Sequence, residues 1–140
     1  MAIACLSAIA GCGGSAGDQF TSRYFAAQAP LNETFADLAT ASTHTGGKTS
    51  AEIARSLGRL ATRFTTELSA LEALRPPARA AAAFRTLTAS LNRVKGDLWA
   101  TYVAFGHGDL VSGPQAIVSL QTDTRAATAA AAAVAHMLKP

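Results

Sequence analysis

Charged and aromatic side chains are scarce in this sequence of 140 residues. Charged residues account for 15% of the chain, aromatic residues for 6%, and the formal net charge is +3. A domain dedicated to nucleic acid concentrates lysine and arginine in a dense basic face. The mild charge argues against such a domain, and we expect no nucleic-acid partner.

Cysteine is missing from the body of the chain. The two cysteines, Cys5 and Cys12, both lie near the amino terminus. A structural disulfide, a thiolate metal site and a cysteine nucleophile are therefore excluded from the rest of the sequence.

The sequence also lacks the metal-binding and phosphate-binding motifs that helical and nucleotide-binding proteins use. It contains no Glu-x-x-His pair and no Walker-type glycine loop. His44 and His107 fall in expected loops, His136 lies near the chain end, and none has a second ligand at helical spacing. We expect three exposed histidines, no metal, no cofactor, no catalytic residue and no enzymatic activity.

The first fifteen residues are apolar and uncharged, and they run into a stretch rich in glycine and serine. About nine apolar residues cannot cross a bilayer core, which needs about twenty. The length instead fits the hydrophobic region of a signal peptide.

Within this stretch, Ile9-Ala10-Gly11-Cys12 resembles the lipobox of bacterial lipoproteins. The resemblance implies cleavage before Cys12 and a diacylglyceryl group on its sulfur, which would anchor the protein outside the cytoplasm on the cell membrane. Two acyl chains hold a protein firmly to a bilayer. The expected division is a signal peptide over residues 1–11, a lipidated cysteine and flexible tether over 12–17, and a folded domain over 18–140.

No lysine or arginine precedes the apolar stretch, which departs from the pattern of a signal peptide. Two interpretations follow. Either translation starts upstream of Met1, or the segment is an apolar arm that packs on the domain.

Alanine and leucine dominate the remaining sequence, and both favour helices. Four segments carry apolar residues at steps of three and four, which places them on one face of a helix. The four apolar stripes are Phe20, Tyr24, Ala27, Leu31, Phe35 and Leu38; Ile53, Leu57, Leu60, Phe64, Leu68, Leu71 and Leu74; Phe84, Leu87, Leu91, Val94, Leu98, Tyr102 and Phe105; and Ile117, Leu120, Thr124, Ala127, Ala131, Val134 and Leu138. With short connections, they predict an all-α, up-down-up-down antiparallel four-helix bundle.

Several residues predict where these helices begin, bend and end. Pro30 lies inside the first segment and predicts a kink or break near Ala29. Ser50 is the expected cap of the second helix, and prolines 77 and 114 suit the first turns of the third and fourth. The run from Ala126 to Ala135 predicts a helix with a small-residue face that a neighbouring helix approaches closely.

The composition of the chain is rich in alanine and arginine, and the sequence includes the junction Leu74-Arg75-Pro76-Pro77-Ala78-Arg79. In this it resembles small helical-bundle lipoproteins of actinobacteria. That resemblance is compositional and implies no function.

Arg55, Arg59 and Arg63 recur every four residues and form a ridge opposite the leucine stripe of the second segment. Two interpretations stay open: contact with anionic head groups or cell-wall polymers, or a solvated face that keeps the bundle soluble. Trp99 and Tyr102 are expected in the core, or alternatively beside a shallow apolar groove.

The acidic residues are expected to lie away from the apolar stripes and to form ion pairs with arginines on the surface. The pairs indicated by spacing are Arg63 with Glu67, Arg93 with Asp97, and Glu52 with Arg55.

Two functions compete at this point. One is a tethered interaction or binding module for an envelope protein, an anionic polymer or a small ligand. The other is a structural accessory of the envelope without a ligand. An enclosed cavity next to Tyr102 and Trp99 would favour binding of a ligand, and a filled core would favour the accessory role.

Overall fold

A computed structural model describes residues 16–44, 46–109 and 111–139. This part of the chain consists of four long helices, one helical turn and short connections. The elements are α1 (Ala16–Thr43), α2 (Ser50–Glu72), a 3-10 turn (Ala78–Ala80), α3 (Ala81–Gly106) and α4 (Ser112–Leu138). Each helix packs on the next one along the chain, which confirms the predicted four-helix bundle.

The four apolar stripes meet in one core. Every stripe residue predicted above is either buried or packed against the buried cluster, apart from Thr124, which is partly exposed. The largest fully buried side chains include Tyr24, Phe64, Leu68 and Leu98. Burial of apolar surface is therefore the main stabilising term, as the helical periodicity indicated.

The start of α2 differs from the prediction by one residue. Thr49, not Ser50, is the amino-terminal cap: its hydroxyl accepts a hydrogen bond from the Glu52 backbone N–H at 3.3 Å. The Glu52 carboxylate accepts in return from the Thr49 backbone N–H at 2.8 Å, which lowers the pKa of Glu52. Reciprocal bonds of this kind form a capping box. Glu52 is thus committed to the cap rather than to an ion pair with Arg55.

α1 runs as one helix through Pro30, so of the two alternatives predicted near Ala29, a kink or a break, the break does not occur. A proline inside a helix removes one hydrogen bond and costs about 3 kcal/mol. The buried face of α1 on both sides of Pro30 offsets that cost, since Tyr24, Leu31 and Leu38 are almost fully buried. α1 also begins at Ala16, two residues inside the segment expected to be a tether.

The helices contact one another unequally. α3 packs most extensively on α4 and on α2, whereas α1 lies against α2 and barely contacts α4. The close α3–α4 packing agrees with the small-residue face predicted for α4. The sparse α1–α4 contact opens a gap along one side of the bundle.

The predicted ion pairs are only partly correct. Arg63 and Glu67 do pair, with 2.9 Å between Nε and Oε1. Arg93 instead pairs with Asp123 of α4, with 3.6 Å between Nε and Oδ1. Because α3 lies between α2 and α4, its flanks face neighbouring helices, and cross-helix partners compete with partners four residues away.

Asp97 lies off the apolar stripe, as expected, but it faces Asp123 of α4 instead of forming the expected surface pair with Arg93. Its Oδ2 atom is buried and has no hydrogen-bond partner among the described residues. Burial, followed by the hydrogen bond and charge of Asp123, raises the pKa of the Asp97 carboxyl, while Arg93 lowers it. A proton shared with Asp123 would supply the donor that the ionised pair lacks.

The raised pKa of Asp97 gives a pH-dependent prediction. A carboxyl with a raised folded-state pKa stabilises the fold below its ordinary value, 3.8, and loses that contribution as the pH rises through the folded-state pKa. We therefore expect Asp97→Asn to increase the free energy of unfolding at neutral pH by about 1 kcal/mol, the lower end of the cost of an unsatisfied buried acceptor. The gain should vanish below pH 3.8. Guanidinium unfolding at both pH values measures it.

Asp109→Asn is the matched control, because its effect should have the opposite sign. The Asp109 carboxylate accepts hydrogen bonds from the backbone N–H groups of Val111 and Ser112, both at 2.9 Å, and its pKa is lowered. That contribution is present at neutral pH and is lost in acid, so Asp109→Asn should destabilise the protein at neutral pH. A destabilising effect of Asp97→Asn at neutral pH would contradict the proton-sharing pair.

Candidate functional site

Of the site residues predicted from sequence, Cys12 lies outside the described residues. The arginine ridge is described in full, and it divides into two parts. Arg63 joins α2 to α1: its guanidinium lies 2.8 Å from Asp37 Oδ2, 2.9 Å from Glu67 Oε1 and 3.6 Å from Glu33 Oε2. The hydrogen bond with Glu67 is the main cause that raises the pKa of Arg63. Arg63 is therefore a structural link between helices rather than a free contact for a partner.

Arg55 and Arg59 remain exposed, and neither forms an ion pair within the described ranges. They border an open depression of about 570 Å³ between α2 and α3. Trp99, 39% exposed, and the partly buried Tyr102 form its other side. Tyr102 packs against the core as expected, whereas Trp99 is exposed, so the expected core position was wrong for Trp99 and the alternative, a shallow groove beside it, describes this open depression.

Gly58 shapes this depression. A Cβ atom at Gly58 would lie 3.0 Å from Cε2 of Tyr102, tighter than most contacts of real Cβ atoms, so the ring would have to shift slightly. The glycine therefore lets the Tyr102 ring lie directly on the α2 backbone. Trp99 meets that ring edge to face, with centroids 5.5 Å apart, and the pair presents an aromatic surface next to the two free arginines.

The gap between α1 and α4 holds a deeper cleft. Its larger part is a cavity of about 420 Å³, a size within the usual range of ligand pockets. Buried leucines of α2 and α3 form the floor, namely Leu71, Leu87 and Leu91. Phe25, Leu31 and Phe35 of α1 contribute to one wall, and small residues of α4 form the other, namely Ala127, Thr128, Ala131, Ala132 and Ala135.

A second cavity of about 290 Å³ continues this cleft toward the carboxyl-terminal end of α1. Phe35 lines both cavities, which lie one after the other between α1 and α4, and we call the two together the α1–α4 cleft. Leu38, Leu120, Gln121, Thr124 and Arg125 are among the residues that line this second part. Both parts of the cleft therefore carry uncharged polar side chains, with Gln28, Asn32 and Thr128 in the larger part, but the charged side chain, Arg125, lies in the smaller part.

Alanine side chains explain why the cleft exists. A methyl group on α4 is too short to reach across to α1, so the space between the helices stays unfilled. One polar contact bridges the gap: the Tyr24 hydroxyl donates to the Ala131 backbone oxygen at 3.2 Å. Burial raises the pKa of Tyr24 to about 12, so the hydroxyl remains a donor at neutral pH.

The α1–α4 cleft was not predicted from the sequence. Two features of the sequence could have indicated it. One is the alanine run of α4, and the other is the presence of two phenylalanines in α1, Phe35 in the apolar stripe and Phe25 outside it. The alanine run was interpreted only as a face for close packing, which is correct toward α3. Toward α1 the same residues leave room.

Within residues 16–44, 46–109 and 111–139, no three His, Cys, Asp or Glu side chains are arranged to hold a metal ion. In that same part of the chain, no helix combines the length and hydropathy needed to cross a membrane.

No protein-family model, no curated protein and no solved structure matches this chain.

Filling the cleft should stabilise the protein. Ala131 lines the cleft and is partly buried, and a leucine there adds apolar surface without removing the backbone oxygen that Tyr24 uses. We expect Ala131→Leu to raise the free energy of unfolding by about 1 kcal/mol, as cavity-filling substitutions commonly do.

Ala133→Leu is the matched control, because Ala133 lies on α4, is exposed and lines neither part of the cleft. Its effect should stay within about 0.5 kcal/mol of zero, as for most surface changes. Thermal or urea unfolding compares the two variants. A clear destabilisation by Ala131→Leu alone would mean that α1 and α4 are packed too closely to leave a cleft.

Proposed function

We propose that the protein is a lipid-anchored binding module of the bacterial cell envelope, held outside the cytoplasmic membrane through Cys12, that takes an apolar ligand into the α1–α4 cleft. The anchor is supported by the lipobox-like Ile9-Ala10-Gly11-Cys12 and by the glycines that follow it. The binding role is supported by the cleft itself.

The cleft is the observation that favours a binding module over a structural accessory. A bundle without a ligand gains most stability by closing its core, since a void forfeits the contacts of the atoms around it. Here the space opens onto three core leucines, at about 420 Å³ in its larger part. The purely structural alternative offers no reason for that space.

The open α2–α3 depression supports a second contact for the same module. Arg55 and Arg59 are free to meet anionic head groups or an anionic envelope polymer, and Trp99 and Tyr102 add an aromatic surface beside them. Basic residues close to an anionic membrane surface each contribute about 1 kcal/mol of attraction. This face would orient a tethered bundle, leaving the cleft on another side available.

A lipid anchor on Cys12 would change the mass of the mature protein, which can be measured. When the gene is expressed in a bacterial host that lipidates exported proteins, the wild-type chain should be found in the membrane fraction with a diacylglyceryl adduct and without residues 1–11. Cys12→Ala should lack the adduct, because the alanine side chain has no sulfur to accept the lipid. Intact-mass spectrometry of the membrane and soluble fractions measures both.

Cys5→Ala is the control, since Cys5 lies inside the expected signal peptide and its loss should leave the adduct in place. A wild-type chain that is soluble and carries no lipid would refute the anchor. It would favour the alternative in which the first residues form an apolar arm.

The binding role is tested separately with N-phenyl-1-naphthylamine, a neutral apolar fluorophore. Its emission should rise saturably with the full chain carrying Cys12→Ala, which removes the anchor lipid as a competitor. Ala131→Leu in that background should weaken binding tenfold or more because leucine occupies the cleft, while Ala133→Leu should leave it unchanged. Equal binding by both leucine variants would place the fluorophore elsewhere and contradict the proposed function.

A further inference from the structure

The α1–α4 cleft is long as well as apolar. Its α1 lining runs from Phe25 to Thr43, which corresponds to about 27 Å of helix, and its α4 lining runs from Leu120 to Ala135, about 22 Å. One leaflet of a bilayer core, which an extended acyl chain spans, is about 15 Å thick. The cleft is therefore long enough for one acyl chain and a head group placed end to end.

Charge is distributed unevenly along the cleft. Arg125 is the one charged side chain among the described residues that line either part, and no carboxylate lines it. Arg125 is exposed and forms no ion pair with the described residues. A free guanidinium at one end of an apolar cleft attracts a negative group and can bind a carboxylate or phosphate through two parallel hydrogen bonds.

The surroundings of Arg125 suit a head group rather than a continuing hydrocarbon chain. Gln121 lies at the same end and adds an amide donor, while the hydroxyls of Ser42, Thr43 and Thr124 donate to backbone oxygens of their own helices. The other part of the cleft has a floor of leucines and a wall of alanines. The leucine floor and the charged side chain thus lie in different parts of the cleft, although Gln28, Asn32 and Thr128 add uncharged polar groups to the part with the leucine floor.

We infer that the cleft binds a single-chain amphiphile, with its acyl chain along the leucine floor and its anionic head group on Arg125. This inference rests on the proposed function that the cleft is a binding site, and it adds the chemical class of the ligand. The head group is an anionic carboxylate or phosphate, as in a fatty acid or a monoacyl phospholipid with a terminal phosphate.

The probe is cis-parinaric acid, a fluorescent long-chain fatty acid, titrated into the full chain carrying Cys12→Ala. Binding should saturate at one molecule per chain, and Ala131→Leu should weaken it tenfold or more while Ala133→Leu does not. Arg125→Gln should weaken it fivefold or more without changing the affinity for N-phenyl-1-naphthylamine, which carries no charge. Arg85→Gln removes an exposed arginine that does not line the cleft, and it should have no effect.

Competition identifies the head group. Palmitate, 1-palmitoyl lysophosphatidate and neutral monopalmitoylglycerol share one chain and differ in charge. Displacement of cis-parinaric acid by either anionic lipid at concentrations at least fivefold lower than the neutral one supports the inference, and the stronger of the two identifies the head group as carboxylate or phosphate. Equal displacement by the neutral lipid would overturn the anionic head group.

Three other outcomes would also overturn the inference. If N-phenyl-1-naphthylamine binding depends on Ala131 but cis-parinaric acid does not bind, the proposed function stands and the ligand class is wrong; if neither binds, both fail. The third outcome is measured by sedimentation of the same sample. If the protein is a dimer and Ala131→Leu dissociates it, the cleft is an interface between two copies of the chain.

Discussion

The reach of the side chains on α4 is the constraint on which the rest of the structure depends. α4 carries an alanine-rich run from Ala126 to Ala135, and an alanine face can either let a neighbour approach closely or leave a gap. α3 comes close, and the two helices share the largest interface of the bundle. α1 cannot satisfy the same geometry while it packs on α2, so the volume that longer side chains would fill remains as the α1–α4 cleft.

α1 is consequently held by a different balance of forces from the other helices. Its aromatic residues enter the core, where Phe20 and Tyr24 pack against Phe84 of α3. Its outer edge is fixed to α2 by polar contacts. The buried Thr34 hydroxyl donates to Glu67 Oε2 at 2.7 Å, and the Arg63 guanidinium pairs with the carboxylates of both Asp37 and Glu67. These directional contacts favour a position of α1 against α2, which is why the gap faces α4.

The arrangement of core residues could be predicted from the sequence because periodicity alone decides which residues face inward. Local signals were also present where the prediction missed: Glu52 lies three residues after Thr49, the spacing of a capping box, and that spacing distinguishes Thr49 from Ser50 as the cap. What could not be predicted is the choice among partners on different helices. Arg93 takes Asp123 rather than Asp97, and this depends on how α3 and α4 are set against each other.

The candidate site divides in the same way. The arginines of α2 could be predicted to lie near the surface, since they fall opposite the leucine stripe, whereas Trp99 was expected in the core and is exposed. The cleft could not be predicted, because it arises from what α1 fails to contact. Nothing in the sequence distinguishes Arg125 from the other arginines. Its proposed role depends on its position at one end of the cleft, which the sequence does not reveal.

The order of elements along the chain has a mechanical consequence. In a protein anchored at Cys12, any tension between the membrane and the bundle enters the fold through the first turn of α1. That helix is also a wall of the cleft, and the Tyr24–Ala131 hydrogen bond lies across the opening. A pull on such a tether would therefore load the wall of the cleft before it loads the tightly packed α3–α4 pair, so that the width of the cleft would respond to the distance between the bundle and the membrane.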